Sequence, residues 1–147
     1  MYERVLHPTD GSDAADVAAA DAMELAERYD APLHVLYVVD VTVGRATDAY
    51  AGQVVEELET IGREHVDSVT GRARRAGLDV TSDIAEGTPA TTIVETTEPG
   101  DVVVMGTHGR SGLDRYLVSS TTEKVIRSVD VPVLTVPLSR AEREESE

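Results

Sequence analysis

The chain has no cysteine, no phenylalanine, no tryptophan and a single lysine, Lys124. Without cysteine there can be no disulfide, thiol nucleophile or thiolate metal site. Histidine is then the only strong nitrogen ligand. His7, His34, His65 and His108 are scattered singly, so no metal-binding spacing arises. No G-K-[ST] step occurs, which argues against a P-loop motor or kinase. No G-x-S-x-G elbow occurs, which argues against an esterase of that type. There is no signal peptide and no apolar run of membrane-spanning length, so the expected place is the cytoplasm.

Asp and Glu total 28 against 13 Lys plus Arg, a net charge of −15 over 147 residues. That balance argues against nucleic acid and anionic membranes as partners. Regular apolar segments rich in Ala and Val argue for a folded domain rather than a disordered one. The length suits one domain, 1–138, followed by an acidic tail, 139–147. An acid-coated surface of this kind resembles that of halophilic proteins.

Val5-Leu6-His7 reads as a first strand closed by Pro8, and Thr9-Asp10-Gly11 as a turn before a helix capped by Ser12 or Asp13. In that helix Val17, Ala18, Ala22, Leu25 and Tyr29 form the expected apolar face. Leu33 to Val39 is β-prone without clean alternation, so a central strand. After a loop from Asp40 to Thr47, a helix over 48–76 carries Val54, Leu58, Ile61, His65, Val69 and Ala73 on one stripe and ends at Gly77. Leu78 to Ala85 has edge-strand character, and Glu86-Gly87 reads as a turn. Thr88 caps a short helix with Pro89 in its first turn. Val131 to Val136, holding Pro132 and followed by Pro137, is a second edge strand. The order βα, βα, βα, βα, β predicts an open five-stranded parallel sheet with helices on both faces, Rossmann-like. Ligands of such sheets bind beyond the carboxyl ends of the strands, where strand order reverses.

The stretch from Asp101 to Glu123 organises the rest. Asp101-Val102-Val103-Val104-Met105 reads as a buried strand. Gly106, Gly109 and Gly112 follow, and glycine allows positive φ and close approach of a ligand. Ser120 with Glu123 fits a capping box for a helix over about 120–128, with Val125 and Ile126 inward. A strand, a glycine loop and a helix N-terminus together suit an anion, because free N–H groups and the helix dipole point at it. Segment 106–128 holds Arg110, Arg115, Lys124 and Arg127 against Asp114 and Glu123, so four minus two gives +2 within an acidic chain. The glycines also fit a plain long turn, Asp10 a turn cap, and His108 either a phosphate donor or a solvated loop residue. His7, His34 and His65 read as packing or rim residues.

The sequence resembles the universal stress proteins over nearly its whole length, from Leu6-His7-Pro8-Thr9-Asp10 to Val131-Pro132-Val133-Leu134-Thr135-Val136. The sharpest part is Val104-Met105-Gly106-Thr107-His108-Gly109-Arg110-Ser111-Gly112-Leu113. ATP-binding members carry G-x2-G-x9-G-[ST] here. Gly106 and Gly109 match the first two glycines, residues 110–118 fill the spacer, and Ser120 matches the last position. Ser119 stands where the third glycine is usual. A requirement for positive φ there costs serine about 1 kcal/mol; a requirement for an N–H alone is met by serine.

The resemblance implies an adenine nucleotide alpha hydrolase-like fold and binding of ATP, or of AMP or ADP, with Mg or Mn held through the phosphates. It places Pro8, Thr9 and Asp10 on the ribose and adenine side and the Val38 backbone at the adenine. Gly106, Gly109, Ser119, Ser120 and Thr121 fall on the phosphate side, and Met105, His108 and Arg110 complete the expected cofactor-binding set. It implies a homodimer across Val131 to Val136 and at most slow hydrolysis. The second reading is a dimeric scaffold of the same fold without nucleotide. A phosphoacceptor receiver is disfavoured: Asp10 is a lone carboxylate, and the third and last strands end Ile84-Ala85 and Val136-Pro137 without the needed Asp and Lys.

Self-repulsion among the surface acids predicts salt-dependent stability. Thermal unfolding followed by circular dichroism should show a fully folded protein in molar salt and partial unfolding in salt-free buffer. Full folding without salt would refute this.

Overall fold

The computed structural model describes residues 1–41, 51–108 and 119–137. Most of the loop expected before the long helix, the start of that helix, Gly109, Arg110, Gly112, Asp114, Arg115 and the acidic tail lie outside the described residues.

Among the described residues nine elements alternate: β1 (Arg4–Thr9), α1 (Asp13–Tyr29), β2 (Leu33–Asp40), α2 (Ala51–Arg75), β3 (Val80–Gly87), α3 (Pro89–Thr96), β4 (Asp101–Gly106), α4 (Ser120–Ser128) and β5 (Val133–Val136). The strands form one parallel sheet in the order β3-β2-β1-β4-β5. The order in which strands are added therefore reverses between β1 and β4, all strands staying parallel, and β3 and β5 are the edges. One face packs Val5, Leu33, Val35, Val102 and Val104 under α1 and α2. The other packs Leu6, Leu36, Val103 and Met105 under α3 and α4. Helices thus cover both faces, as the alternation of elements requires.

Several local expectations change. β1 runs through Pro8 to Thr9 instead of closing at Pro8. β3 spans Val80–Gly87, so Glu86-Gly87 is strand rather than turn. β5 begins only at Val133; Pro132 precedes it and its carbonyl accepts from Val103 N–H at 2.9 Å. The buried face of α1 is a row of alanines, Ala14, Ala15, Ala18, Ala19, Ala22 and Ala26. Val17 and Leu25 are only half-buried and Tyr29 is exposed, because small side chains let the helix sit closer to the sheet. On α2 the seam to the core runs through Val55, Leu58, Val66, Val69 and Ala73. Ile61 lies at the margin, lining a shallow hollow with Gln53, Glu56, Glu57 and Thr60. In α4 Val125 is buried, but Ile126 is 48% exposed.

Ser12 caps α1, accepting from Ala15 N–H at 3.2 Å. Thr88 stands at the N-cap of α3 without a side-chain capping bond. Away from the carboxyl ends of the strands, Asp101 is 2% exposed and takes Arg4 Nε at 2.9 Å and Nη2 at 2.7 Å, with Glu98 N–H at 2.8 Å. This pair ties β1 to β4; hydrogen bonding to Asp101 raises the Arg4 guanidinium above its ordinary pKa. No described helix is long and apolar enough to cross a membrane.

Candidate functional site

β1 and β4 are paired only over Arg4–Asp101, Val5–Val102 and Leu6–Val103. The reason lies in the sequence. Val5 N–H donates to Pro32 O on the β2 side, so the alternate residues Leu6 and Pro8 face β4. Proline has no N–H to give. Val103 N–H points the other way, to Pro132 O, so the Val104 carbonyl faces β1 at the level where Pro8 should donate. The His7 ring supplies the missing bond, with Nδ1 2.9 Å from Val104 O. A carbonyl only accepts, so Nδ1 carries the hydrogen and Nε2 is a bare lone pair. Nε2 is buried and has no partner among the described residues.

Beyond this parting lies a cleft of about 430 Å³. Its floor is the ends of β1, β2 and β4, and α3 and α4 contribute walls. The structure brings Pro8, Thr9, Asp10, Val38, Met105, Gly106, His108, Ser119, Ser120 and Thr121 to it. Of the sequence-predicted site residues, only Gly109 and Arg110 lie outside the described chain. Sequence reasoning missed Leu36, Tyr37, Asp40, Pro89, Ile93 and Thr122, together with Ala15 and Leu58 on helices. Asp40 and Pro89 carried a signal: each stands just where a strand gives way to the next element.

The β1–α1 turn is fixed by its own side chains. Asp10 Oδ1 accepts from Ser12 N–H at 2.9 Å and Thr9 Oγ1 from Gly11 N–H at 3.2 Å. Asp10 is thus both a turn residue and a cleft residue. On β2, Leu33 N–H points to β3, so Val38 points its backbone toward β1. β1 ends at Thr9, opposite Tyr37, so the Val38 carbonyl lies past the strand that would have paired it.

Gly106 does not use positive φ; it makes room. A Cβ there would lie 3.0 Å from the carbonyl carbon and the Cβ of Ala14, so the first turn of α1 presses on the end of β4. Helix–strand packing by itself requires a glycine here.

Ser119, not Ser120, is the N-cap of α4, so the Ser120–Glu123 capping box does not form. Ser119 has φ −62° and ψ 153°, so no left-handed geometry is demanded. Its Oγ accepts from Thr122 N–H at 3.1 Å and lies 2.8 Å from Thr122 Oγ1, which donates to Gly106 O at 3.0 Å. Its N–H donates to Thr107 O at 2.7 Å and is therefore occupied. The Ser120 and Thr121 amides, at the first two positions of α4, make no hydrogen bond among the described residues. His108 is buried, so it is not a solvated loop residue. Of the cationic island, Arg127 is paired with Glu123 at 2.7 Å.

The Universal stress protein family profile matches residues 1–137. The chain belongs to the universal stress protein family. A relative, Universal stress protein MJ0531 of Methanocaldococcus jannaschii, is 37% identical over 146 residues, covering 97% of this chain and 86% of that protein. The solved structure of MJ0577 superposes with a TM-score of 0.82 at 27% identity, covering 92% of this chain and 96% of that one. A universal stress protein solved in complex with cAMP superposes at 0.66 and 27% identity, covering 92% and 97%.

Burial holds the His7 imidazole below its ordinary pKa, against the opposing pull of the Val104 bond. The unfolded chain takes up the proton near pH 6.5 while the folded one does not, so stability falls as pH drops below that value. His34, partly buried beside Thr81, is lowered in the same sense. Urea midpoints in molar salt should decline between pH 7 and 5. His7→Gln, which keeps an N–H for Val104 O, should flatten most of that slope; an unchanged slope would contradict the assignment.

Proposed function

We propose that this chain is an adenine-nucleotide-binding regulatory protein of the stress response. It takes ATP, with AMP or ADP as lesser ligands, and Mg or Mn rides on the phosphate oxygens. Hydrolysis is slow at most, the working unit is a homodimer across the β5 edge, and the compartment is the cytoplasm.

The observation that carries this reading is the convergence of ten sequence-chosen residues on one cleft at the strand reversal. The residues present fit the ligand in three ways. A volume of about 430 Å³ falls in the range of small-molecule sites. Leu36, Val38, Pro89, Ile93 and Met105 give an apolar bed for a base, beside the Val38 carbonyl as an acceptor. The Ser120 and Thr121 amides at the head of α4 give donors for a phosphate. Asp10 and Asp40 also line the cleft, so a divalent cation on the phosphates lessens repulsion. The solved relative with cAMP supports an adenine nucleotide as the ligand class.

One observation favours the scaffold reading. The Ser119 amide is turned to Thr107 O, which removes a donor from the phosphate side.

Ser120→Pro separates these readings. Proline suits the first position of a helix, and Ser119 already has the extended backbone that a following proline requires. The variant should fold as stably as wild type. By calorimetry in molar salt, its ATP affinity should fall roughly tenfold to a hundredfold, the worth of one hydrogen bond to a charged group. Ser120→Ala, which keeps the amide, should bind nearly as wild type. No heat with wild type and any adenosine phosphate would leave the scaffold reading.

For the dimer, β5 is an edge strand with Leu134 exposed. Light scattering should give two chains for wild type and one for Leu134→Arg. A wild-type monomer in molar salt would overturn the interface.

A further inference from the structure

Gly11 answers two separate demands. Its φ is +77°, in the left-handed region that side chains resist. A Cβ there would also collide with Cδ2 and Nε2 of His65 and lie 3.0 Å from its Cγ. The imidazole therefore rests its Cδ2–Nε2 edge against the Gly11 backbone, one residue past Asp10. His65 sits on the apolar stripe of α2, which would make it plain packing. Yet it is only half-buried, and the seam to the core runs through its neighbours Val66 and Val69.

We propose that His65 is a positioning residue for the nucleoside side of the cleft: from α2, its ring holds the Thr9–Gly11 turn where Asp10 meets the ribose. This rests on the nucleotide binding proposed above. The turn has bonds of its own, from Gly11 N–H to Thr9 Oγ1 at 3.2 Å and from Ser12 N–H to Asp10 Oδ1 at 2.9 Å. Each joins residues two apart, so together they set the shape of the turn and not its position over the cleft. Position has to come from outside the turn, and the ring on Gly11 is such a contact.

α2 is suited to supply a fixed stop. Leu58, Gly62 and His65 recur at steps of four and three, so they share one face of the helix. Leu58 lines the cleft. Gly62 seats on the Tyr37 ring, where a Cβ would strike Cδ1 and Cε1. Tyr37 also lines the cleft and stands opposite Thr9 in the β1–β2 register. One helix face thus touches the cleft wall, the last paired level of β2 and the turn after β1. Val66, Val69 and Ala73 are buried beyond it and bind the helix to the sheet. A group carried on a packed helix is held more firmly than one placed by a loop alone. Removing the ring opens space beside a glycine, the residue with the widest backbone freedom. Asp10 then loses its direction toward the ribose, while the Ser120 and Thr121 amides at the head of α4 stay where they are.

The test titrates the full chain in molar salt with ATP and with 2′,3′-dideoxy-ATP, which lacks both ribose hydroxyls, by calorimetry. The readout is the ratio of the two affinities. A variant that is only less stable binds both ligands less in the same proportion, so the ratio isolates the ribose contact. Wild type should favour ATP roughly tenfold, the worth of one hydrogen bond to a carboxylate. His65→Ala should lose that preference while its affinity for dideoxy-ATP stays unchanged. His65→Gln, with a planar amide of similar reach, should restore most of it. A wild-type preference retained in His65→Ala overturns the positioning role and leaves nucleotide binding standing. Wild type that binds the two ligands alike also overturns it, since there is then no ribose contact to position. Wild type that binds neither overturns both proposals. Where His65→Ala does not fold, His65→Ser is read in its place.

Discussion

The absent amide of Pro8 shapes everything at the top of the sheet. β1 and β4 are the two central strands across the reversal, and the ladder between them ends after Leu6. A residue with an N–H at position 8 would carry the pairing on toward Met105 and draw the strand ends together. Proline stops it without breaking β1, because the opposite side of the strand still pairs with β2 through Pro8–Leu36 and Thr9–Tyr37. The carbonyl left behind at Val104 would be a buried orphan, and the His7 ring removes that penalty. One residue type opens the cleft and its neighbour makes the opening tolerable. Burial lowers the basicity of His7, and a charged ring would find no acceptor for Nε2 among the described residues.

The parting also needs α1 to come close, and here the composition matters. A chain without Phe or Trp cannot fill deep gaps, so it removes them. The fully buried face of α1 is made of alanines, with Val17, Met23 and Leu25 packed at its margins, and its first turn rests on Gly106, where a methyl group would touch Ala14 backbone at 3.0 Å. On the same face α2 passes Tyr37 at Gly62, where any side chain would strike the ring. These seams use small residues to press helices onto strands, which suits dispersion contacts that fade quickly with distance. They also hold Ala15 and Leu58 at the rim of the cleft, so the packing of the core and the shape of the site are the same problem.

The order of elements and both edges of the sheet were legible because they rest on long apolar runs and on proline and glycine punctuation. The cleft residues on strand ends were legible for a related reason: a parallel sheet places its ligand beyond those ends, whatever the loops do. What the sequence hid were choices between neighbours. Val17 and Leu25 are better hydrophobes than Ala15 and Ala19, yet distance to the sheet selected the alanines. Ser119 and Ser120 cap equally well on paper; the bond from Ser119 N–H to Thr107 O decided between them. Ile126 reads as inward from its neighbour Val125, but a nine-residue helix has room for only one buried row. His108 reads equally as a phosphate donor or a solvated loop residue, and only the fold shows its ring buried, with Nδ1 beside the Thr107 hydroxyl.

Ser119 ties these threads together. A glycine there would offer its amide and little else. The serine has ordinary φ and uses its hydroxyl to hold Thr122, which in turn holds the Gly106 carbonyl at the end of β4. Its own amide holds Thr107. The substitution therefore exchanges one donor for a brace between β4 and α4, the two elements whose ends form the donor side of the cleft. A braced helix end presents the Ser120 and Thr121 amides in a fixed direction, and fixed donors gain more from an anion than mobile ones do. In a chain carrying a net charge of −15, an anion would be attracted only over a short range. Orientation at contact then matters more than long-range steering, and the brace supplies orientation.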